Sequence, residues 1–382
     1  MKKNLKQHMP LIILLLCAAV IFGVAYKLAA LEPEESLRAE DYAEYERGTV
    51  TMVLSDNTER DASSDNSWRG EQLLLVEVTT GQYKGQTLQV SNYVGPLYSV
   101  PLNAGDSAVL IISTYADGTH IGTVYEYDRL LPTIIIIGLF VLATIAVGGK
   151  TGAKSLVGLV FTLVALFFIL IPALMKGAPT IFTTFMVCAY ITVVTMAILG
   201  GIQKKTICAM LGTISGTALA MIFGLISQSL LRINGMRVPD AEALLQLQQT
   251  GTPIGISGLL VAGVIISALG AVMDVAMSIA SSLTEVQNAN PELTCRDLIR
   301  SGMNIGHDMV GTMTNTLILA LLGSSMVLIV YLYSLNLSSN QFISSSYLAI
   351  EVVSGISSSI GVILAVPLTV LVSAFALTMK KK

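Results

Sequence analysis

The sequence predicts an all-α polytopic membrane protein of about eight transmembrane helices, with a small exported β-barrel-like domain between helices 1 and 2. Three observations carry that reading. Of 382 residues, 53% are apolar and only 12% are charged, and the mean hydropathy is +0.72. A soluble chain carries about 25% charge, and half of that does not cover a water-facing surface of this size. The charge is also unevenly placed, because residues 31–130 hold 17 of the 25 acidic residues and 6 of the 22 basic ones. Outside that stretch the text falls into apolar runs of about 20 residues, the length that crosses a ~30 Å hydrocarbon core at ~1.5 Å per residue.

The first run, Leu11 to Ala30, follows Lys2, Lys3 and Lys6. This suits an N-terminal anchor over residues 1–30 with a cytoplasmic start. A cleaved signal peptide is the competing reading, but Tyr26-Lys27-Leu28 interrupts the small-residue pattern that cleavage needs.

Residues 31–130 then read as an extracytoplasmic β module. An acidic stretch from Leu31 to about Arg47 is a short helix or linker. Five strand-like segments follow at 49–54, 72–79, 87–91, 107–113 and 120–125, rich in Val, Thr, Leu, Ile and Tyr. Ser55-Asp56-Asn57, Lys84-Gly85, Asn103 to Asp106 and Asp117-Gly118 supply the turns. A barrel of OB or SH3-like size is expected, with a polar mobile loop from Asn57 to Gly70. Trp68, the only tryptophan, reads as a loop residue packed on the barrel, with an aromatic ligand platform as the other reading; Tyr93, Tyr98, Tyr115, Tyr125 and Tyr127 could line a surface, but strands use tyrosine routinely. An acidic exported module argues against a nucleic-acid partner.

Residues 131–382 read as a seven-helix bundle with spans near 131–148, 154–175, 180–200, 206–230, 254–281, 311–333 and 350–378. With the N-terminus inside, the inner loops carry Lys150, Lys154, Lys204, Lys205, Arg296, Arg300 and Lys380 to Lys382. Every short inner loop is then basic, as the positive-inside rule requires, and both termini are cytoplasmic. Lys150 and Lys154 suit lipid headgroups. The Gly148-Gly149-Lys150-Thr151 turn lacks the GxxxxGK[ST] spacing of a phosphate loop, because Thr144 stands where the first glycine belongs. Between the spans, Asp240 to Leu247 is expected as a surface helix capped by Asp240, and Thr294 with Asp297 as a helix start. Gly212, Gly216, Ala220 and Gly224 form a small-xxx-small series suited to close helix contact. Pro172 and Pro367 are expected to shape their spans.

Candidate functional residues are the polar groups at membrane depth. Asp274 lies inside an apolar run and shares an approximate helical stripe with Ser267, Ser278, Ser281, Gly263 and Gly270. A carboxylate there must be hydrated, paired or protonated. It is a packing group bonded to a neighbouring helix, a group on a solute, ion or proton path, or simply wet at the inner interface. In the next segment Asn304, Asp308, Thr312 and Asn315 recur at helical spacing, with His307 beside them. Histidine is the residue type that titrates near neutral pH. The transport or proton-relay candidates are therefore Asp274, Ser278, Asn304, His307, Asp308 and Asn315. No HExxH, Cys–His ligand spacing or nucleophile–base pair is present, so no metal, cofactor or enzymatic activity is expected. The four scattered cysteines form no disulfide framework.

Three blocks together resemble the YibE/F family of bacterial multi-pass membrane proteins: Ala143 to Gly152, Gly270 to Ser278 around Asp274, and Ser301 to Thr316. The resemblance extends over nearly the whole chain. It implies a bacterial cell membrane location and, weakly, a transporter or permease. Asp274 in a late helix, followed by an inner loop and a polar helix entrance, is also distantly similar to the SecD/SecF and RND transporter arrangement, which implies proton-driven transport. The expected function is secondary transport, proton-coupled, of an unknown small solute or ion. The alternative is a membrane scaffold or sensory protein whose exported domain binds a protein partner. Membrane lipids and a second copy in a homo-oligomer are the other expected partners.

Overall fold

The computed structural model describes residues 43–114, 120–233, 235–237 and 241–379. The anchor over residues 1–30, the acidic stretch ahead of Ala43, the Asp117-Gly118 turn and the Asp240 cap lie outside the described residues, whereas the end of that stretch, Ala43 to Arg47, expected as helix or linker, is strand because it pairs with the segment at 109–113. The chain divides into two compact units between Ala143 and Thr144.

In the first unit, alternation of apolar and polar residues builds six strands: β1 (Ala43–Asp56), β2 (Glu59–Asp61), β3 (Ser67–Val78), β4 (Thr87–Val94), β5 (Ser107–Thr114) and β6 (His120–Tyr127). All five expected segments are strands. The order is β1-β5-β6-β4-β3-β2, and an added β1–β3 pairing closes the first five into a barrel. Neighbours are antiparallel except β4 and β6, which run parallel at Val90 and Gly122. This is the Greek-key arrangement of small OB-type barrels. β1 serves two partners, pairing β5 through Ala43–Thr49 and β3 from Gly48 to Asp56. The changeover is at Gly48, where a Cβ would sit 2.5 Å from Val76 and 3.1 Å from Leu110, so only glycine fits. Leu74, Val76, Val90, Leu102, Leu110 and Ile112 fill the core.

Two amides also enter that core. Gln72 and Asn92 are buried. Gln72 Nε2 donates to Asp56 Oδ2 (2.9 Å), and Gln72 Oε1 accepts from Asn92 Nδ2 (3.0 Å) and the Leu102 N–H (2.9 Å). Asn92 Nδ2 also donates to the Val100 carbonyl at 3.0 Å. The network pins the 95–102 segment against β3 and β4.

The expected mobile loop at Asn57–Gly70 is instead ordered, as a β2–β3 hairpin pairing Glu59–Asp61 with Ser67–Arg69. Side-chain bonds order it where hydrophobic pattern could not. Asp61 accepts from the Ser63 N–H (2.8 Å), the Ser63 hydroxyl (2.6 Å) and the Ser64 hydroxyl (2.5 Å), and pairs with Arg69 Nε at 2.9 Å. These bonds, led by the Ser63 hydroxyl, hold the Asp61 carboxyl down at about 2.

Helices follow: α1 (Leu130–Ala165), a π turn (Leu166–Leu170), α2 (Ile171–Met175), α3 (Thr180–Gly200), α4 (Lys204–Leu230), α5 (Ala241–Gln249), α6 (Leu259–Ala289), α7 (Cys295–Ser324), α8 (Met326–Ser334), α9 (Ser339–Ile343) and α10 (Ser346–Thr378). The expected segments fall largely in helix, but the one at 254–281 becomes helical only after residue 255 and the one at 311–333 is interrupted at Ser325. Five continuous helical runs among the described residues are long and apolar enough to cross a membrane, or six if α7 and α8, bent by 59°, are one span. The first run, Leu130–Met175, has 46 residues, roughly 70 Å and twice what a bilayer needs. It is two helices that meet at Gly149, whose φ of 54° and ψ of −132° are open to glycine. A Cβ on Gly152 would overlap the Thr144 carbonyl oxygen, two helical turns upstream, so the chain folds sharply there. The π turn precedes Pro172, whose missing N–H and bulky ring are accommodated by a widened turn.

The second unit is held by a seam between α4 and α10. A Cβ on Gly212 would overlap Thr369, one on Gly216 would lie 2.6 Å from Ala365, and one on Gly361 would lie 2.7 Å from Ala220. The paired positions run in opposite directions, so the helices are antiparallel. Gly224, the last of the small-residue series, departs from the seam and faces Val261 and Val264 of α6. α7 joins α10 through Gly302 and Gly306, which lie on Val370 and Val366. α6 buries Val264, Ala268, Val272, Val275, Ile279 and Leu283 in the same core. The expected start at Thr294 is a full capping box, with the Thr294 N–H donating to Asp297 Oδ2 (3.0 Å) and the Asp297 N–H to Thr294 Oγ1 (3.3 Å). A surface helix, α5, occupies the expected position after residue 240.

Three outcomes are expected. Gln72→Leu leaves the Leu102 N–H without its acceptor and the Asn92 amide with only its bond to the Val100 carbonyl, and costs about 2 kcal/mol or more, read as a lower thermal midpoint of Trp68 fluorescence. Asp61 titrates below an ordinary carboxyl of 3.8, so its support is full above that value and is lost as pH falls toward 2. The hairpin therefore holds at mildly acidic pH, whereas Asp61→Asn loosens it at neutral pH, as seen by hydrogen exchange of residues 57–70. Gly216→Leu overpacks the α4–α10 seam, costs about 1–3 kcal/mol or more and broadens the size-exclusion peak, whereas Gly263→Val, with nothing within 4 Å of its Cβ, leaves the peak intact.

Candidate functional site

α6 presents two unlike faces. One is the aliphatic row that enters the core. The other carries Gly263, Gly270, Asp274, Ser278 and Glu285, all exposed. Asp274 is the central residue of this 31-residue helix. Ser267 and Ser281 flank the stripe half-buried, and the Ser267 hydroxyl meets the Ser358 hydroxyl of α10 at 2.7 Å. The serine stripe expected from spacing therefore splits, with Ser267 stitching helices together and Asp274 and Ser278 turned outward.

α7 repeats the pattern. Gly302 and Gly306 sit on α10, and Asn304, His307, Asp308, Thr312 and Asn315 lie on the exposed side. The Thr312 hydroxyl donates to the Asp308 and Met309 carbonyls at 3.2 Å, and Thr316 to the Thr312 carbonyl at 2.9 Å. Hydroxyls on this face are thus satisfied by their own helix. The side chains of Asp274, Asn304, His307, Asp308 and Asn315 make no hydrogen bond or ion pair among the described residues.

Depth follows from the α6–α7 contact. A Cβ on Gly302 would lie 3.0 Å from Leu283 Cδ1, so these residues are level. Counting back along α6 and forward along α7 sets Asp274 level with Gly311, and Asp308 about one turn away. The structure brings the two carboxylates to neighbouring depths on adjacent helices without bonding them. Among the described residues, no group of three His, Cys, Asp or Glu side chains is close enough to hold a metal ion.

One carboxylate near the start of α10 was missed as a site. Glu351 stands at the start of the last expected span. In the structure the hydroxyl of Ser325, at the α7–α8 bend, donates to it. The pair borders an apolar cavity of about 170 Å³ lined by Ile318, Leu322, Leu348, Glu351 and Gly355. A larger cavity of about 530 Å³ lies between the start of α3 and the approach to α6, lined by Phe182, Phe185, Met221, Pro253 and Ser257 among others. Neither is lined by the six candidate residues.

The family described as YibE/F-like protein matches residues 136–379, which takes in α6, α7 and all six candidate residues. No curated protein matches the chain. No solved structure matches it. The match covers well over half of the sequence, including the three blocks that carry the resemblance, and the chain belongs to the YibE/F-like protein family.

Proposed function

We propose that this membrane protein is a secondary transporter of a small solute or ion, proton-coupled, whose polar path runs along the outward faces of α6 and α7. The observation that carries the reading is Asp274, a carboxylate with no partner among the described residues, at the middle of a helix long and apolar enough to cross a membrane. Exposure of such a group to hydrocarbon costs several kcal/mol or more, so water, a solute or protein must cover it. Asn304, Asp308 and Asn315 supply acceptors and donors along the adjacent helix, and His307 supplies a group of the kind that relays protons. In this reading the bundle has eight spans with the anchor, both termini are cytoplasmic, and residues 31–130 are extracytoplasmic.

A second reading is favoured by the direction of the same residues. They face away from the bundle core, as contact residues of a membrane scaffold would, with a second copy or a protein partner covering them. Proteoliposomes carrying a trapped pH-sensitive dye separate the two. Under an imposed pH gradient with sodium or potassium as the test cation, the transporter gives protein-dependent flux, and Asp274→Asn lowers it by about tenfold or more with an unchanged size-exclusion profile. Normal flux in that variant would remove Asp274 from the mechanism. No flux in the wild-type chain, with a variant that falls apart into smaller assemblies, selects the scaffold.

A further inference from the structure

Two residues tie the barrel to the first apolar helix. β6 ends at Tyr127 and α1 begins at Leu130, so the link spans no more than about 11 Å. It is also fixed. Asp128 Oδ1 accepts from the Leu130 N–H at 2.9 Å, Asp128 Oδ2 pairs with Arg47 Nε of β1 at 3.5 Å, and Arg129 is bound to Glu126. The apolar text starts at once, with Leu130, Leu131 and Ile134 to Ile137 exposed. Arg129 therefore stands where the chain passes from the barrel into the apolar helix.

Arg129 also lines a groove of about 520 Å³ on the barrel, together with Trp68, Pro96, Leu97, Tyr98 and Glu126. One wall of that groove is the turn from Gly95 to Val100. At its tip Leu97 is 93% exposed and Tyr98 is 73% exposed. The exposure is built in by hydrogen bonds. The Tyr98 N–H donates to the Gly95 carbonyl (3.0 Å), the Gly95 N–H to the Ser99 carbonyl (3.2 Å) and the Ser99 N–H to the Tyr93 carbonyl (3.3 Å). Asn92 holds the far end through the Val100 carbonyl. Leu97 has no way back to the core, which is already filled. Arg60 stacks over the Trp68 ring, 4.8 Å from its centroid, and adds positive charge beside the groove.

We infer that the Gly95–Val100 turn is a membrane anchor, with Leu97 and Tyr98 in the headgroup layer of the bilayer that α1 enters and Trp68 at its edge. An apolar side chain held outward, an amphipathic ring next to it and a guanidinium at the start of the membrane helix are the chemistry of an interfacial contact. The short link supplies the reach, because the groove and the first turn of α1 share Arg129. The contact holds the barrel down on the lipid and keeps it from swinging on its connection.

Trp68 is the only tryptophan of the chain, so its emission reports on this groove alone. The full chain is reconstituted at low density in phosphatidylcholine liposomes that contain lipid with a nitroxide either on the headgroup or deep in the acyl chain. The headgroup nitroxide quenches Trp68 more than the deep one. In a Leu97→Asp, Tyr98→Ser double variant that quenching falls by about threefold or more, quenching by dissolved acrylamide rises, and the thermal midpoint is unchanged. Acrylamide reaching Trp68 freely in the wild-type chain, with no effect of either lipid nitroxide, overturns the inference and leaves a groove open to a soluble ligand. Shielding from lipid nitroxides and acrylamide alike overturns it in favour of cover by a second copy. The wild-type measurement decides the matter even if the double variant fails to fold.

Discussion

The membrane unit depends on α4 and α10 coming within backbone contact. Lipid offers apolar side chains as good an environment as another helix does, so two apolar helices gain little by hiding from it. What they gain is dispersion contact, and that requires close approach. Gly212, Gly216 and Ala220 face Thr369, Ala365 and Gly361, a small residue on each side at every fourth position. The Thr369 hydroxyl donates to the Ala365 carbonyl, so the polar atom in this dry seam is satisfied within its own helix. α10 is also the helix on which α7 rests, through Gly302 and Gly306. The orientation of α7, and with it the outward position of Asn304, Asp308 and Asn315, follows from this contact.

The result inverts the arrangement of a water-soluble bundle. α6 and α7 turn branched and aliphatic residues inward and leave carboxylates, amides and an imidazole on the outside. Shape sets that choice. Glycine and small aliphatic faces fit the closely spaced core, whereas Asp274 and Asn304 stand on sides that no neighbouring helix approaches among the described residues. The barrel makes the opposite choice, taking Gln72 and Asn92 inside, where five hydrogen bonds hold the two amides and the Asn92 Oδ1 alone of their polar atoms has no partner among the described residues.

Much of this was legible from residue order. The five strands follow period-two alternation, the helices follow long apolar runs, and the Thr294–Asp297 start and the Gly212–Ala220 series follow local rules about caps and small residues. The Asn57–Gly70 hairpin was hidden because aspartate-to-serine bonds order it, not burial. Spacing also placed Asp274 and Ser278 on one stripe, and Asn304, Asp308 and Asn315 on another. It did not say which way either stripe points, because periodicity fixes angles within a helix and not the position of its neighbours. The Gly302–Gly306 contact decides that for α7. The partnership of Ser325 and Glu351 joins residues from separate helices, and no local pattern encodes it.

The double role of β1 has a consequence for synthesis. Its first half waits for β5, some sixty residues later in the chain, and the β5–β6 pair is complete only at Tyr127. Contacts this distant in sequence form slowly and late. The barrel therefore stays an open ribbon until almost the moment the next apolar run, at Leu130, emerges from the ribosome. Closure of the barrel and entry of α1 into lipid are adjacent events in the birth of the molecule, and a delay in one leaves an unpaired strand edge waiting on the other.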